Sequence, residues 1–258
     1  MDAFIGQLQQ RNTPLYYFGL LCLLAALACL VLIKFTHTQV GGVNAWYKPF
    51  KFFVSVGLFA WTMGWYLHYL GPLPTVSVYS WGVIILLGLE VVYIAAQAGR
   101  GQLSHFKVDT PVYALLYGFM GLAAVAVAVG TAYIGILFYL RDFPELPSAY
   151  VWGIRIGIGL FVLFALQGLV MGSSMRHTIG GPDGDSGLPV VNWSRKYGDL
   201  RAAHFMGMHA LQILPALSFY LVKNTKVTLM VGFFVALSSR HCSCRLCRRN
   251  PFFDDSGA

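Results

Sequence analysis

The residues able to do chemistry are concentrated in one polar stretch and one acid set deep in apolar sequence. Residues 175–212, MRHTIGGPDGDSGLPVVNWSRKYGDLRAAHFMGMHALQ, carry Arg176, His177, Asp183, Asp185, Arg195, Lys196, Asp199 and Arg201 between two apolar runs, then His204 and His209 into the second run. Well upstream, Glu90 stands inside an apolar run, with Tyr93 and Gln97 at i+3 and i+7 and so on one helical stripe. A carboxylate at that depth is costly in hydrocarbon. It is therefore expected to be protonated, paired or turned to a polar cavity, and it marks a functional site by default. Imidazole and carboxylate together suit zinc or iron, and the same groups relay protons.

Spacing limits what His204 and His209 can do together. Two helix histidines that share one ion are three or four residues apart, as in the zinc-binding HExxH helix. Five apart, these two point about 140° from one another and lie about 7.5 Å apart along the axis. A single metal ion would take one of them plus ligands from other elements. A haem on His209, or on His68 with a second histidine, is a weaker alternative. Glu90, His204 and His209 are the expected core ligands or proton carriers, and also the expected metal ligands. His105 and His177 are expected to close the site from loops, with Arg176 and Arg201 holding an anionic group. For His37, His105 and His177 the plainer reading, that polar loops contain histidines anyway, carries better than even weight. The calcium-loop pattern is absent, since only Asp183 and Asp185 align and there is no terminal Glu. No phosphate-loop, nucleophile-elbow or dinucleotide signature stands in a suitable context.

The elements that must position these groups are membrane spans. Hydrophobic residues make up 57% of the 258 and charged residues 11%, against roughly a quarter charged in soluble domains. The fold class is all-α, a polytopic transmembrane bundle of six full spans and a short or truncated seventh. Spans are expected at about 15–33, 52–70, 76–97, within 112–140, and at 150–172 and 202–222. The last apolar run, 227–237, is shorter than the roughly 20 residues needed to cross a bilayer. Pro14 suits a helix start, and Asp199 a helix cap. Gly153 and Gly157 have small-xxx-small spacing, and the Ala/Gly-rich run at 121–135 permits close helix approach. Trp46, Tyr47, Lys48 and Lys51 read as an interfacial cluster, preferred about three to one over a binding role.

The formal charge of +8 reads as orientation rather than nucleic-acid affinity, because the basic residues fall in short loops. With the N-terminus outside and seven passes, inner segments hold 13 Lys and Arg against 4 in outer ones; without the tail the balance is 9 to 4. This predicts N-out. Residues 1–13 have no basic n-region or small-residue cleavage site, so a retained first span is expected. One helical domain is expected over 1–239. Residues 240–258, with His241, Cys242, Cys244 and Cys247, read as a disordered Cys/Arg-rich tail of unrelated character. Cys22 and Cys29, seven apart, share a helix face, and nothing resembles a disulfide framework.

The run RHTIGGPDGDSGLPVVNWSRKYGDLRAAHFMGMHALQILP, with QAGRGQLSHF upstream, resembles a group of uncharacterised bacterial multi-pass membrane proteins. Their matching segments read HTxGxPDGxxGLP, NWS, GDLRxxHFxGxHALQ and RGQxSHF. The resemblance covers most of the polar sequence. It implies a bacterial inner-membrane location and no particular activity.

The leading expectation is an integral membrane protein with a His/Glu site near the inner face, binding a transition metal (iron or zinc) or haem and suited to redox chemistry. A proton-coupled transporter, in which Glu90 and a histidine exchange protons, is the alternative. A non-catalytic subunit of a membrane complex, with the polar loop as its docking surface, is a third. The expected partners are the lipid bilayer, a small-molecule ligand or a membrane-complex partner, and no nucleic acid.

Overall fold

Proline and glycine punctuation sets where the helices begin. The computed structural model describes residues 2–184, 187–188, 190–222 and 224–233. The Cys/Arg-rich tail, Asp185 and the end of the 227–237 run lie outside the described residues. A short helix α1 (Asp2–Arg11) leads into α2 (Thr13–Phe35), where Pro14 occupies the first turn and the Asn12 side chain accepts from the Leu15 N–H at 3.1 Å. A two-residue ribbon, β1 (Gln39–Val40) with β2 (Val43–Asn44), turns the chain into α3 (Tyr47–Leu67) and a 3-10 turn (His68–Leu70). Gly71, at φ +75°, and Leu73 deliver the chain to α4 (Pro74–Gly99). Next comes α5 (Pro111–Leu140), capped by Thr110, whose hydroxyl accepts from Tyr113 N–H. In each of α2, α4 and α5 a proline sits where the missing N–H costs nothing.

The chain divides after Phe143 into two compact units. In the first, α2 and α3 meet along glycines. A Cβ on Gly57 would lie 3.1 Å from the Gly19 carbonyl, and the Trp61 indole fills the space beside Gly19 while donating Nε1 to the Tyr16 carbonyl at 3.0 Å. The expected close approach by the Ala/Gly-rich run is realised at Gly130, against which the Tyr79 ring packs, its hydroxyl 2.8 Å from Thr131 Oγ1. Helix α1 has no counterpart among the expected elements. It is held by the buried Leu8 and by Phe4 stacked on Trp65 at 5.1 Å.

The second unit is built on α6 (Ser148–Ser174) and α7 (Leu200–Leu217). Gly153 and Gly157 form the contact: their Cβ positions would lie 3.0 Å from Pro215 Cα and 3.1 Å from Leu211 Cα. This is the close packing the small-xxx-small spacing predicts, and it is the main source of helix association where lipid removes the hydrophobic drive. Pro215 has no N–H to continue the ladder, and α7 gives way to a wide π-turn at Ser218–Val222. Residues 225–233 are helical again and return along α6, with Gly232 against Ile156.

Five helices among the described residues are long and apolar enough to cross a membrane: Thr13–Phe35, Tyr47–Leu70, Pro74–Gly99, Pro111–Leu140 and Ser148–Ser174. By length and composition the chain is a multi-pass, mostly helical membrane protein. Helix α7 is not one of the five.

Candidate functional site

In the first unit the stripe on α4 forms as expected. Leu89 and Val92 are 53% and 63% exposed on the opposite side, whereas Glu90 and Tyr93 are half-buried and Gln97 is 1% exposed. Gln97 donates from Nε2 to the Tyr93 hydroxyl at 3.2 Å and to the Leu103 carbonyl at 3.3 Å, and its buried Oε1 has no acceptor role among the described residues. The loop after α4 brings in Ser104, which is buried, with its hydroxyl 3.2 Å from His105 Nδ1. Rings enclose His105: Phe52 at 5.7 Å and Tyr117 at 6.5 Å between centroids. Burial, and then the charge of Lys48, hold its imidazole well below the usual histidine range, so it is neutral at neutral pH. The field of Lys48 also reaches Glu90. Lys48, in the first turn of α3, thus connects two groups that lie fifteen residues apart on one helix and its following loop. Its sequence neighbours mark it as an interfacial residue, because the electrostatic reach of one helix to another leaves no trace in local spacing.

In the second unit the polar stretch is folded rather than loose. Strands β3 (Thr178–Ile179) and β4 (Gly198–Asp199) pair antiparallel, with Thr178 opposite Asp199. Asp183 accepts from the His177 and Thr178 amides at 3.1 and 2.8 Å, and its carboxylate is 3.3 Å from His177 Nδ1. Burial alone would raise its pKa; the donors from Thr178 and His177 outweigh this and hold it below the ordinary range. Asp199 caps α7 as expected. It accepts from the Arg201 amide at 3.0 Å and from the Ser194 amide at 2.8 Å, and it takes both Nε and Nη2 of Arg201 at 2.9 and 2.7 Å. Its burial is likewise outweighed by these donors, and its pKa is lowered. The Arg201 guanidinium also donates to the Asn192 carbonyl at 2.6 Å, so its fork serves the loop's own architecture. Arg176 is exposed.

His204 and His209 diverge as their spacing predicts. His204 places Nδ1 2.6 Å from the Phe164 carbonyl on α6, where it can only donate, so Nε2 carries the lone pair. Beside it, Gly168 leaves room for the ring. His209 instead packs on Phe205 at 4.3 Å and pairs with Gln212, and Phe205 stands edge-on to Trp193 of the loop at 5.7 Å.

Among the expected site residues, Glu90 and His105 therefore belong to the first unit, and Arg176, His177, Arg201, His204 and His209 to the second. Among the described residues no group of three His, Cys, Asp or Glu side chains is placed to hold a metal ion. No family model, no curated protein and no solved structure matches the chain.

Proposed function

We propose that this chain is a bacterial inner-membrane protein that couples proton movement to its activity, as a proton-linked transporter would, with Glu90 as the group that takes up and releases the proton. The observation that carries this reading is the setting of Glu90: half-buried on an apolar helix, in the field of Lys48, on a stripe with Tyr93 and the buried Gln97. An acid in a low-dielectric bundle changes charge only where a partner compensates it. Lys48 supplies that compensation when the proton leaves. His105, neutral and accepting or donating through either nitrogen, stands where the proton passes toward the loops.

The charge balance supports N-out, which puts Lys48, Arg100 and His105 toward the cytoplasm. In this arrangement α7 is the sixth crossing and 225–233 begins a short seventh. The likeness of the polar loops to a bacterial membrane family supports the location. Proton exchange at Glu90 is tested by infrared titration of the protein in nanodiscs, where a carboxyl C=O band should respond to pH in the wild type and vanish in Glu90→Gln. Proton flux into liposomes under an imposed potential should fall in parallel. A titrating band and a flux both unchanged in Glu90→Gln would overturn the proposal.

A metal or haem redox centre is supported by one feature, the Nε2 lone pair of His204, whose Nδ1 is fixed by a backbone carbonyl in the manner of metal-ligating histidines. Metal analysis and a visible spectrum of the purified protein, with His204→Ala beside it, decide that reading.

A further inference from the structure

In the second unit, the turn that carries Leu188 and Val190 is held in one shape from inside. Leu188 donates its N–H to the Trp193 carbonyl at 2.9 Å, and Asn192 donates its N–H to the Leu188 carbonyl at 2.8 Å. The Gly187 amide donates to Asn192 Oδ1 at 3.2 Å, and the approach is so close that a Cβ on Gly187 would stand 2.5 Å from the Asn192 carbonyl carbon. Val190 takes φ +66° and Asn192 φ +55°. Asparagine adopts this left-handed geometry readily; a β-branched valine there is an outlier. A conformation of that cost persists where its surroundings impose it, and such positions cluster at clamps and contact sites. The result of this one is display, since Leu188 and Val190 are 41% and 48% exposed.

The turn is also fastened sideways to α7. Arg201, in the first turn of α7, donates from Nη2 to the Asn192 carbonyl at 2.6 Å, and the Trp193 ring stands edge-on to Phe205 at 5.7 Å. Phe205 is exposed, and helical spacing sets it on the other side of α7 from Ala203 and Ala210, which pack with Leu160 and Phe164 of α6. Its level can be read against α6. His204 Nδ1 donates to the Phe164 carbonyl, Gly168 lies against the same imidazole, and Gly207 faces the Phe164 ring. Phe205 is therefore level with residues 164–168, about 9–15 Å short of the end of α6 at Ser174 at 1.5 Å per residue. Over that length α6 turns Leu163, Leu166, Leu169 and Val170 outward, and it is one of the five helices able to cross a membrane. Trp193 thus lies beside the apolar length of the unit, and the turn that it closes is carried to the same flank.

We infer that Leu188 and Val190 are seated in the headgroup–acyl boundary of the leaflet at the C-terminal end of α6, so that the loop between α6 and α7 is anchored in the bilayer rather than held in water. Lipid is the occupant because Phe205 and the turn fastened to it lie at a level where α6 already presents leucine and valine to its surroundings. The composition agrees. Tryptophan collects at this boundary, and Arg195, exposed two residues beyond Trp193, has the charge that anionic headgroups attract. The inference rests on α6 crossing the bilayer and is independent of proton exchange at Glu90.

The test uses the full chain in nanodiscs of phosphatidylglycerol and phosphatidylcholine. Spin labels are placed one at a time through Leu188→Cys, Val190→Cys, Leu163→Cys and Glu145→Cys, with Cys242, Cys244 and Cys247 replaced by serine and the buried Cys22 and Cys29 left in place. Collision rates with oxygen, which dissolves in lipid, and with a water-soluble nickel chelate give the depth of each label. Labels at Leu188 and Val190 should lie about 5–10 Å into the boundary, between the Leu163 label in hydrocarbon and the Glu145 label in water. All four positions are exposed side chains, and the second turn position decides the matter where the first does not fold. Turn labels that meet nickel as freely as the Glu145 label overturn the inference in favour of an aqueous loop. Turn labels shielded from both reagents overturn it in favour of a covering protein or a second copy of the chain. A Leu163 label open to nickel overturns the crossing by α6 and the inference with it, whereas a carboxyl band unchanged in Glu90→Gln counts against the proton reading alone.

Discussion

Removal of the Asp199 carboxylate should open the polar loop of the second unit without unfolding its helices. Asp199 receives four donors, two from backbone and two from the Arg201 guanidinium. Loss of a helix cap to alanine costs about 1 kcal/mol, and leaving buried donors unsatisfied costs about 1–3 kcal/mol. The Arg201 side chain is 28% exposed, so water recovers part of its loss. Asp199→Ala should therefore destabilise the closed loop by about 2–4 kcal/mol, and Asp199→Asn by about 1 kcal/mol less, because asparagine caps as well as aspartate does. The assay is hydrogen exchange of the Ser194 and Arg201 amides in detergent micelles. Exchange should accelerate at least ~30-fold in Asp199→Ala, since each 1.4 kcal/mol is a factor of ten. The folded-state pKa of Asp199 lies below its unfolded value. Its contribution is thus fully present above about pH 4 and is lost as acid takes the pH down through the lowered value. The Ser194 and Arg201 amides of the wild type should loosen there, and in Asp199→Asn these two amides should show no step of their own. Exchange in Asp199→Ala within about threefold of wild type at neutral pH would refute the reasoning.

Two further outcomes follow from the same unit. Gly207→Ala would set a Cβ 2.0 Å from Phe164 Cγ, an overpacking expected to lower stability by about 1–3 kcal/mol; the Gly207→Ala/Phe164→Ala double variant should lose less than the sum of the two single changes in thermal unfolding. Asp183→Ala should speed exchange at the His177 and Thr178 amides by about tenfold, one hydrogen bond to a charged group being worth about 1.5 kcal/mol or more. The pKa of Asp183 is also depressed, so the wild type should reproduce that loosening only in acid, below about pH 4.

Much of the helical frame was legible because membrane spans announce themselves by length and by the residues that stop them. Expected spans at 15–33, 76–97 and 150–172 are each extended by two residues at both ends in Thr13–Phe35, Pro74–Gly99 and Ser148–Ser174, because helix ends continue past the strongly apolar stretch into residues such as Thr13, Lys34, Thr75 and Ser174. The Asp199 cap and the Gly153/Gly157 contact were legible for the same reason, each being a local device with a fixed spacing. Helix α1 was not, since GQLQQR offers neither an apolar run nor a cap, and its order comes from the burial of Leu8 and from Phe4 stacking on Trp65 of α3. The break after Pro215 was visible as a proline but not as a π-turn. At the candidate site the stripe of Glu90, Tyr93 and Gln97 could be read from spacing, whereas its link to Lys48 and His105 required the turn at His68–Leu73 that sets α4 back along α3. The pairing of Thr178 with Asp199 was hidden because two-residue strands carry no periodicity to detect.

That pairing has an effect on what the segment between can tolerate. With its two ends pinned side by side, the stretch from Gly180 to Tyr197 is a closed circuit whose perimeter is nearly independent of the helices that feed it. Doubling such a circuit costs only about 0.6 kcal/mol in chain entropy. Near Gly184, whose backbone stands at φ +112°, added sequence such as an epitope or a fluorescent reporter would leave the α6–α7 contact through Gly153 and Gly157 in place.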